Sequence, residues 1–271
     1  MTSWPSLFVS HGAPTFATEP GLAGAQLRAL GQVLGKPEAI VVVSPHWMTR
    51  GVAITATAHP ETVHDFGGFP RELYSLQYPA PGSPERAEQV RQVLAVSGIS
   101  ARLDPQRGLD HGAWVPLRHL YPDADVPVVQ VSIPFDADED QAYALGRALR
   151  PLATQGVLII GSGSLTHNLY EFRTGDVQEA DYAREFSLWI RQAVLEGDMG
   201  RLLQALDRAP HAKRAHPSTD HFLPLLVAAG AATAHTPATV LDGGIRHGVL
   251  AMESYLLGQR VELDVKELTH A

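Results

Sequence analysis

Ile40-Val41-Val42-Val43-Ser44-Pro45-His46-Trp47 decides the reading of the fold. A short unbroken apolar run rich in β-branched residues, closed by Ser-Pro, reads as a strand buried on both faces, the condition of strands in a parallel sheet. The pattern recurs in Leu7-Phe8-Val9-Ser10-His11-Gly12-Ala13-Pro14 and in Val157-Leu158-Ile159-Ile160-Gly161-Ser162-Gly163-Ser164-Leu165-Thr166-His167. In open α/β sheets, ligands bind in the crevice outside the carboxyl ends of the strands. His11, His46 and His167 leave their strands in the same sense, so they converge, and convergent imidazoles suggest a metal.

Two more histidines stand in comparable surroundings. His111 lies in Asp110-His111-Gly112, where Asp110 either orients it or caps the helix that follows. His221 follows Pro217-Ser218-Thr219-Asp220 and opens the apolar run Phe222-Leu223-Pro224-Leu225-Leu226-Val227, a helix start that favours a nearby anion such as a phenolate. The polar stretch 210–217 predicts that His211 and His216 are exposed. His59, His119, His235, His247 and His270 have no such context and read as structural or surface residues.

Outward from these motifs, strands are predicted over 7–10, 39–44, 52–57, 126–133, 157–161, 238–242 and 248–257. Helices are predicted over 24–34, 84–96, 114–121, 139–154, 181–195, 199–205 and 221–231. The alternation gives an α/β fold: one domain over residues 1–271, a largely parallel sheet with a mixed edge, helices on both faces and a metal site at the strand C-terminal ends. A hairpin is expected around Gly51, and strand 248–257 is expected to pair antiparallel at one edge. Pro79-Ala80-Pro81-Gly82 and His64-Asp65-Phe66-Gly67-Gly68-Phe69-Pro70 are the expected pocket walls, and Gly161 and Gly163 are expected to allow close backbone approach to a ligand or metal.

With 21 basic and 29 acidic residues, the net charge of −8 argues against nucleic acid or an anionic membrane as partner. No apolar run reaches transmembrane length, the N-terminus lacks a signal-peptide pattern, and the expected compartment is the cytoplasm. Zero cysteines exclude disulfides, iron–sulfur clusters, thiolate zinc sites and a cysteine nucleophile. A metal would therefore sit on imidazole, carboxylate, carbonyl or water, a donor set open to iron, zinc, manganese or copper. There is no P-loop, no Gly-x-Gly-x-x-Gly opening a helix and no Gly-x-Ser-x-Gly elbow. Read from its residues, the chain is an α/β protein with a His-rich metal site, and hydrolase and oxygenase stand equally open.

A resemblance separates them. Ser10-His11-Gly12-Ala13-Pro14, Ser44-Pro45-His46-Trp47, the 64–70 stretch, Tyr78-Pro79-Ala80-Pro81-Gly82, Asp110-His111-Gly112-Ala113-Trp114, Tyr121-Pro122-Asp123-Ala124-Asp125, Thr166-His167-Asn168-Leu169 and His221-Phe222-Leu223-Pro224-Leu225 occur in family order. Together they resemble the class III extradiol ring-cleavage dioxygenases of the catalytic subunit-B type, in the 4,5-DOPA dioxygenase-like branch. The resemblance implies an Fe(II) enzyme that opens a catechol, DOPA-like or related, with O2 to a muconic semialdehyde-type product. By position His11, His46 and His221 match the metal ligands. His167 matches the acid–base histidine and is a possible fourth ligand, while His111 would hydrogen-bond the substrate oxygen or the developing anion. Members of the wider superfamily often use two histidines and a glutamate, whereas here the third position is His221, with Asp220 beside it as the alternative carboxylate. Arg71, Tyr74, Tyr78 and Arg246 are candidates for binding a substrate carboxylate or ring. Zinc outcompetes Fe(II) on imidazole in the general affinity order, so purified protein is expected to carry zinc at times. The rival expectations are a zinc hydrolase on the same scaffold and a non-catalytic metal- or peptide-binding relative. The oligomeric state, monomer or homodimer, is left open.

Overall fold

The computed structural model describes residues 3–174 and 177–264; His270 lies outside them. Ten strands and nine α-helices follow one another among these residues. They run β1 (Ser6–Ser10), α1 (Gly21–Leu34), β2 (Ala39–Thr49), β3 (Val52–Thr55), α2 (Pro84–Val96), β4 (Ala101–Asp104), α3 (His111–Leu120), β5 (Val128–Pro134), α4 (Glu139–Leu149) and β6 (Val157–Gly163). The chain continues through α5 (Asp181–Glu196), α6 (Met199–Leu203), α7 (Ala205–Arg208), α8 (Ala212–Ala215), α9 (Leu223–Ala231), β7 (Ala238–Leu241), β8 (Ile245–Arg246), β9 (Leu250–Ala251) and β10 (Ser254–Leu257).

Eight strands form one sheet in the order β4-β3-β5-β2-β6-β1-β10-β7. Its centre, β5-β2-β6-β1, is parallel throughout. The reason is visible in β2. Ile40 and Val42 pack into the core shared with α1 and α3, while Val41 and Val43 pack into the opposite core with α2, α4, α5 and α9. Both faces are covered, so every position must be apolar.

Four expectations are corrected. The chain does turn at Gly51, but β5 lies between β2 and β3, and β3 pairs antiparallel with β5, so no β2–β3 hairpin forms. The expected strand 248–257 is broken into β9 and β10, and β10 sits inside the sheet because β7 takes the edge. The helix expected over 139–154 stops at Leu149 and ends in a 3-10 stretch, Arg150–Gln155, whose Pro151 cannot donate to an α-helical ladder. Strand β4 was not anticipated. Among the described residues no helix is long and apolar enough to cross a membrane.

Candidate active site

The C-terminal ends of β1, β2 and β6 place the histidines. His11 is the first residue past β1, its backbone N–H bonded to Gly163 O at 2.9 Å, and it is buried. Gly12 follows with φ +62°, and a Cβ there would stand 2.7 Å from Met252, so the turn that aims His11 inward needs glycine. In β2 the register with β5 shifts between Val43 and Met48, a bulge centred on Ser44-Pro45-His46-Trp47. Proline cannot donate to the ladder, and the bulge re-aims His46 toward His11. Their Nε2 atoms stand 3.1 Å apart.

His221 arrives from the helical side. Gly161 and Gly163 of β6 lie under the start of α9: a Cβ on Gly161 would stand 1.9 Å from Pro224 O, and one on Gly163 would stand 2.3 Å from His221 O. These glycines therefore admit the helix start, which carries His221, rather than a ligand. Ser164 N donates to His221 O at 3.0 Å and locks the approach. The ligand-capable nitrogens of His11, His46 and His221 all lie within 4.8 Å of one another. His167 stacks on His221, ring centroids 3.5 Å apart and planes at 6°, and is not one of that trio. His111 opens α3, where the Asp110 side chain caps the helix by accepting from Ala113 N at 3.1 Å. Its ring lies 3.9 Å from that of His46.

Two of the trio, His11 and His221, are held from behind. Ser162 Oγ donates its one hydrogen to Gly112 O at 2.5 Å, so its contact with His11 Nδ1 at 3.0 Å is accepted, which places hydrogen on Nδ1 and a lone pair on Nε2. His221 Nδ1 donates to Asp220 Oδ2 at 2.5 Å, and its buried Nε2 has no hydrogen-bond partner. Asp220 thus orients a histidine rather than joining the trio. Burial, then the neighbouring rings of His46, His221 and His111, holds His11 well below its ordinary value. Burial, followed by His111 and His221, pushes His46 down to about 2. Burial and then His221 bring His167 to about 3. Burial works against ionisation of Asp65, but its hydrogen bonds from His111 prevail and hold it at about 2. Neutral imidazoles with lone pairs turned to one point are what a cation requires. Metal–imidazole bonds of about 2.0–2.1 Å suit nitrogens about 3 Å apart. The donor set fits a metal.

The trio lines the floor of a cavity of about 370 Å³, walled by Gly12, Ala13, Pro14, Phe66, Gly67, Phe69, Leu169, Phe172 and Leu250, with His111 and His167 beside it. The family described as "Catalytic LigB subunit of aromatic ring-opening dioxygenase" matches residues 11–251. The chain belongs to this family. A 4,5-DOPA dioxygenase extradiol of Beta vulgaris is 40% identical over 92% of this chain and 95% of its own length. One of the same name from Escherichia coli K12 is 38% identical over 95% and 96%. A crystal structure of an uncharacterised protein from Escherichia coli K12 aligns with a TM-score of 0.79 at 33% identity, covering 94% of this chain and 100% of that one. The chain is accordingly an aromatic ring-cleaving extradiol dioxygenase, acting on a small molecule with O2, and the histidine cluster points to a metal cofactor.

Of the LigB-type motifs read from the sequence, the 64–70 loop walls the pocket but 79–82 does not, because Pro81 O accepts from Val128 N and Gly82 packs on Thr57. Tyr78 is 2% exposed and donates to Tyr121 O at 2.9 Å, away from the cavity. Arg71 and Tyr74 lie exposed on the outer side of the Phe66–Phe69 wall, where Tyr74 meets the Phe66 ring at 5.2 Å. Arg246 lines a groove that shares Gly67, Phe69 and Phe172 with the cavity, and it pairs with Glu19 at 3.0 Å. His216, expected at the surface, is 5% exposed: its Nε2 donates to Leu165 O, and its ring packs on Phe186 and Phe222. His211 is exposed as expected. Asp65 and Ser162 escaped the sequence reading. Asp65 was visible only as an acidic residue next to a glycine hinge.

Proposed function

We propose that this chain is a non-haem Fe(II)-dependent extradiol dioxygenase that opens a catechol, DOPA-like or related, to a muconic semialdehyde-type product. It would do so as a single catalytic domain in the cytoplasm. One observation carries the proposal: three imidazoles, those of His11 and His221 buried and that of His46 half-buried, offer nitrogens to a single point on the floor of an aromatic-walled cavity sized for one ring. His11, His46 and His221 would hold the metal. Iron, when bound, would supply open positions for the two catechol oxygens and for dioxygen, together with the redox chemistry linking them.

The protein's own groups do the rest. Phe66, Phe69, Phe172 and Leu250 flank the ring and exclude water. His167, kept neutral by burial and by His221, accepts a proton from a catechol hydroxyl at its free ring nitrogen and returns one later in the cycle. His111 hydrogen-bonds the other substrate oxygen. A substituent on the ring passes between Gly67 and Phe172 into the adjoining groove, where Arg246 meets a carboxylate and Glu19 an ammonium. That pairing favours an α-amino acid side chain, in keeping with the names of the Beta vulgaris and Escherichia coli relatives. Arg71 and Tyr74 lie further out and would touch only larger substrates.

The test is anaerobic reconstitution with Fe(II), then a catechol panel including DOPA and protocatechuate under oxygen uptake. Consumption of one O2 per catechol, with a coloured ring-opened product, is expected. An iron-loaded protein inert across the panel, with a zinc form that hydrolyses esters or amides, would replace the proposal with the hydrolase.

A further inference from the structure

We propose that Asp65 is a positioning residue for ring opening: its carboxylate fixes His111 as the Nδ1–H tautomer and so presents the Nε2 lone pair to the substrate hydroxyl. The inference rests on the reading of the cavity as the ring-opening site. Asp65 Oδ1 accepts twice from one residue, from the His111 backbone N–H at 2.9 Å and from His111 Nδ1 at 3.0 Å. A carboxylate carries no hydrogen, so Nδ1 must. The remaining ring nitrogen is then an acceptor on a ring that lines the cavity.

Asp65 is held where this works. The loop before it is tied to the segment leading into α3: Leu109 N donates to Glu61 O at 2.8 Å, and Val63 N donates to Leu109 O at 2.8 Å. Trp114 Nε1 donates to Val63 O at 2.9 Å, from within α3 itself. On the other side, His64 Nε2 meets Leu76 O at 3.0 Å. Carboxylate and imidazole therefore move as one piece. Asp65 Oδ2 is 3.6 Å from His46 Nδ1, beyond a hydrogen bond, so the carboxylate is engaged with His111 rather than with the metal trio.

His46, Asp65 and His111 also lie close enough to form a second group of metal-capable atoms. A cation there would compete for a carboxylate that already accepts two N–H bonds from His111. The hydrogen-bonded arrangement is the better satisfied one. Its consequence is a division of labour, with His167 facing one hydroxyl and His111 accepting from the other.

The direct test is 15N NMR of histidine-labelled, metal-free protein, with His111 assigned by its loss in His111→Ala. Hydrogen on Nδ1 and a bare Nε2 are expected; hydrogen on Nε2 overturns the assignment. The second test uses iron-reconstituted variants. Asp65→Ala should keep full metal and a KM within about threefold of the parent, while kcat falls roughly 10- to 100-fold, the scale of a lost orienting partner. Asp65→Asn, whose amide oxygen still accepts both N–H groups, should restore kcat to within about threefold. In a His111→Ala background, Asp65→Ala should add nothing, because the two act as one unit. Metal loss in Asp65→Ala, an Asn variant as poor as the Ala variant, or additive losses would each contradict the proposal. A parent protein that opens no catechol would instead sink the ring-opening reading and leave the NMR result to stand on its own.

Discussion

His216 and His221 lie five positions apart on one loop, both buried, yet they do different things. His216 donates Nε2–H to the carbonyl of Leu165 and packs its ring between Phe186 and Phe222, so its buried and unpartnered Nδ1 is shut into the core, away from the histidine trio. His221 gives its Nδ1–H to the Asp220 carboxylate, which leaves Nε2 buried, unpartnered and facing His11 and His46. His119 follows the first pattern, bonding Phe16 O at 2.8 Å. Burial alone therefore does not mark a functional histidine. What marks it is a free nitrogen that joins a point shared with the nitrogens of other imidazoles.

The largest effect should come from emptying that point. His11→Ala, His46→Ala or His221→Ala should each reduce bound metal far below one per chain and abolish ring opening, as measured by elemental analysis and oxygen uptake. Full metal in all three would erase the contrast with His216. Next in size is His167→Ala, which should hold most of its metal and still bind catechol but turn over roughly a hundredfold more slowly or worse, the scale of a lost acid–base group. Complete metal loss in that variant would instead make His167 a fourth ligand. Ser162→Ala, which removes the acceptor behind His11 Nδ1, should weaken metal affinity by about 10- to 100-fold in a chelator competition. An unchanged affinity would mean that the tautomer of His11 is set elsewhere.

The smallest effect belongs to His216, where His216→Gln should leave metal content untouched. Its signature is in stability instead. Burial holds folded His216 down to about 4, against an ordinary value of 6.5. Between those values the unfolded chain binds more protons, so the stability tied to neutral His216 is complete above about 6.5 and declines as the pH falls toward 4. In denaturant titrations of metal-free protein, His216→Gln should lessen the acid slope by up to one proton, about 1.4 kcal/mol per pH unit. An unaltered slope would show that His216 is protonated in the fold.

The central strands and their terminal histidines were legible because burial on both faces forces unbroken apolar runs, as in Ile40 to Val43, and because Gly12 and Pro45 mark where each run ends. What was hidden depends on the third dimension. Ala101-Arg102-Leu103-Asp104 forms an edge strand, paired on one side only and half exposed, so its sequence carries no apolar run. The 210–217 stretch reads as polar, but Phe186 and Phe222 close over His216 from other elements. Asp65 lies 46 positions from the histidine it holds, and nothing local to it signals that bond. Tyr78 shows the reverse: an aromatic in a family motif drew attention as a binding residue, yet its hydroxyl serves the carbonyl of Tyr121.

Anomalous diffraction at the metal edge from iron-reconstituted crystals, grown anaerobically with and without catechol, bears most directly on the whole account. It should place a single metal bonded to Nε2 of His11, His46 and His221, with Asp220 and His216 outside bonding distance and two catechol oxygens joining when the substrate is present. A metal seated between His46, Asp65 and His111, or bonded to the carboxylate of Asp220, would contradict it.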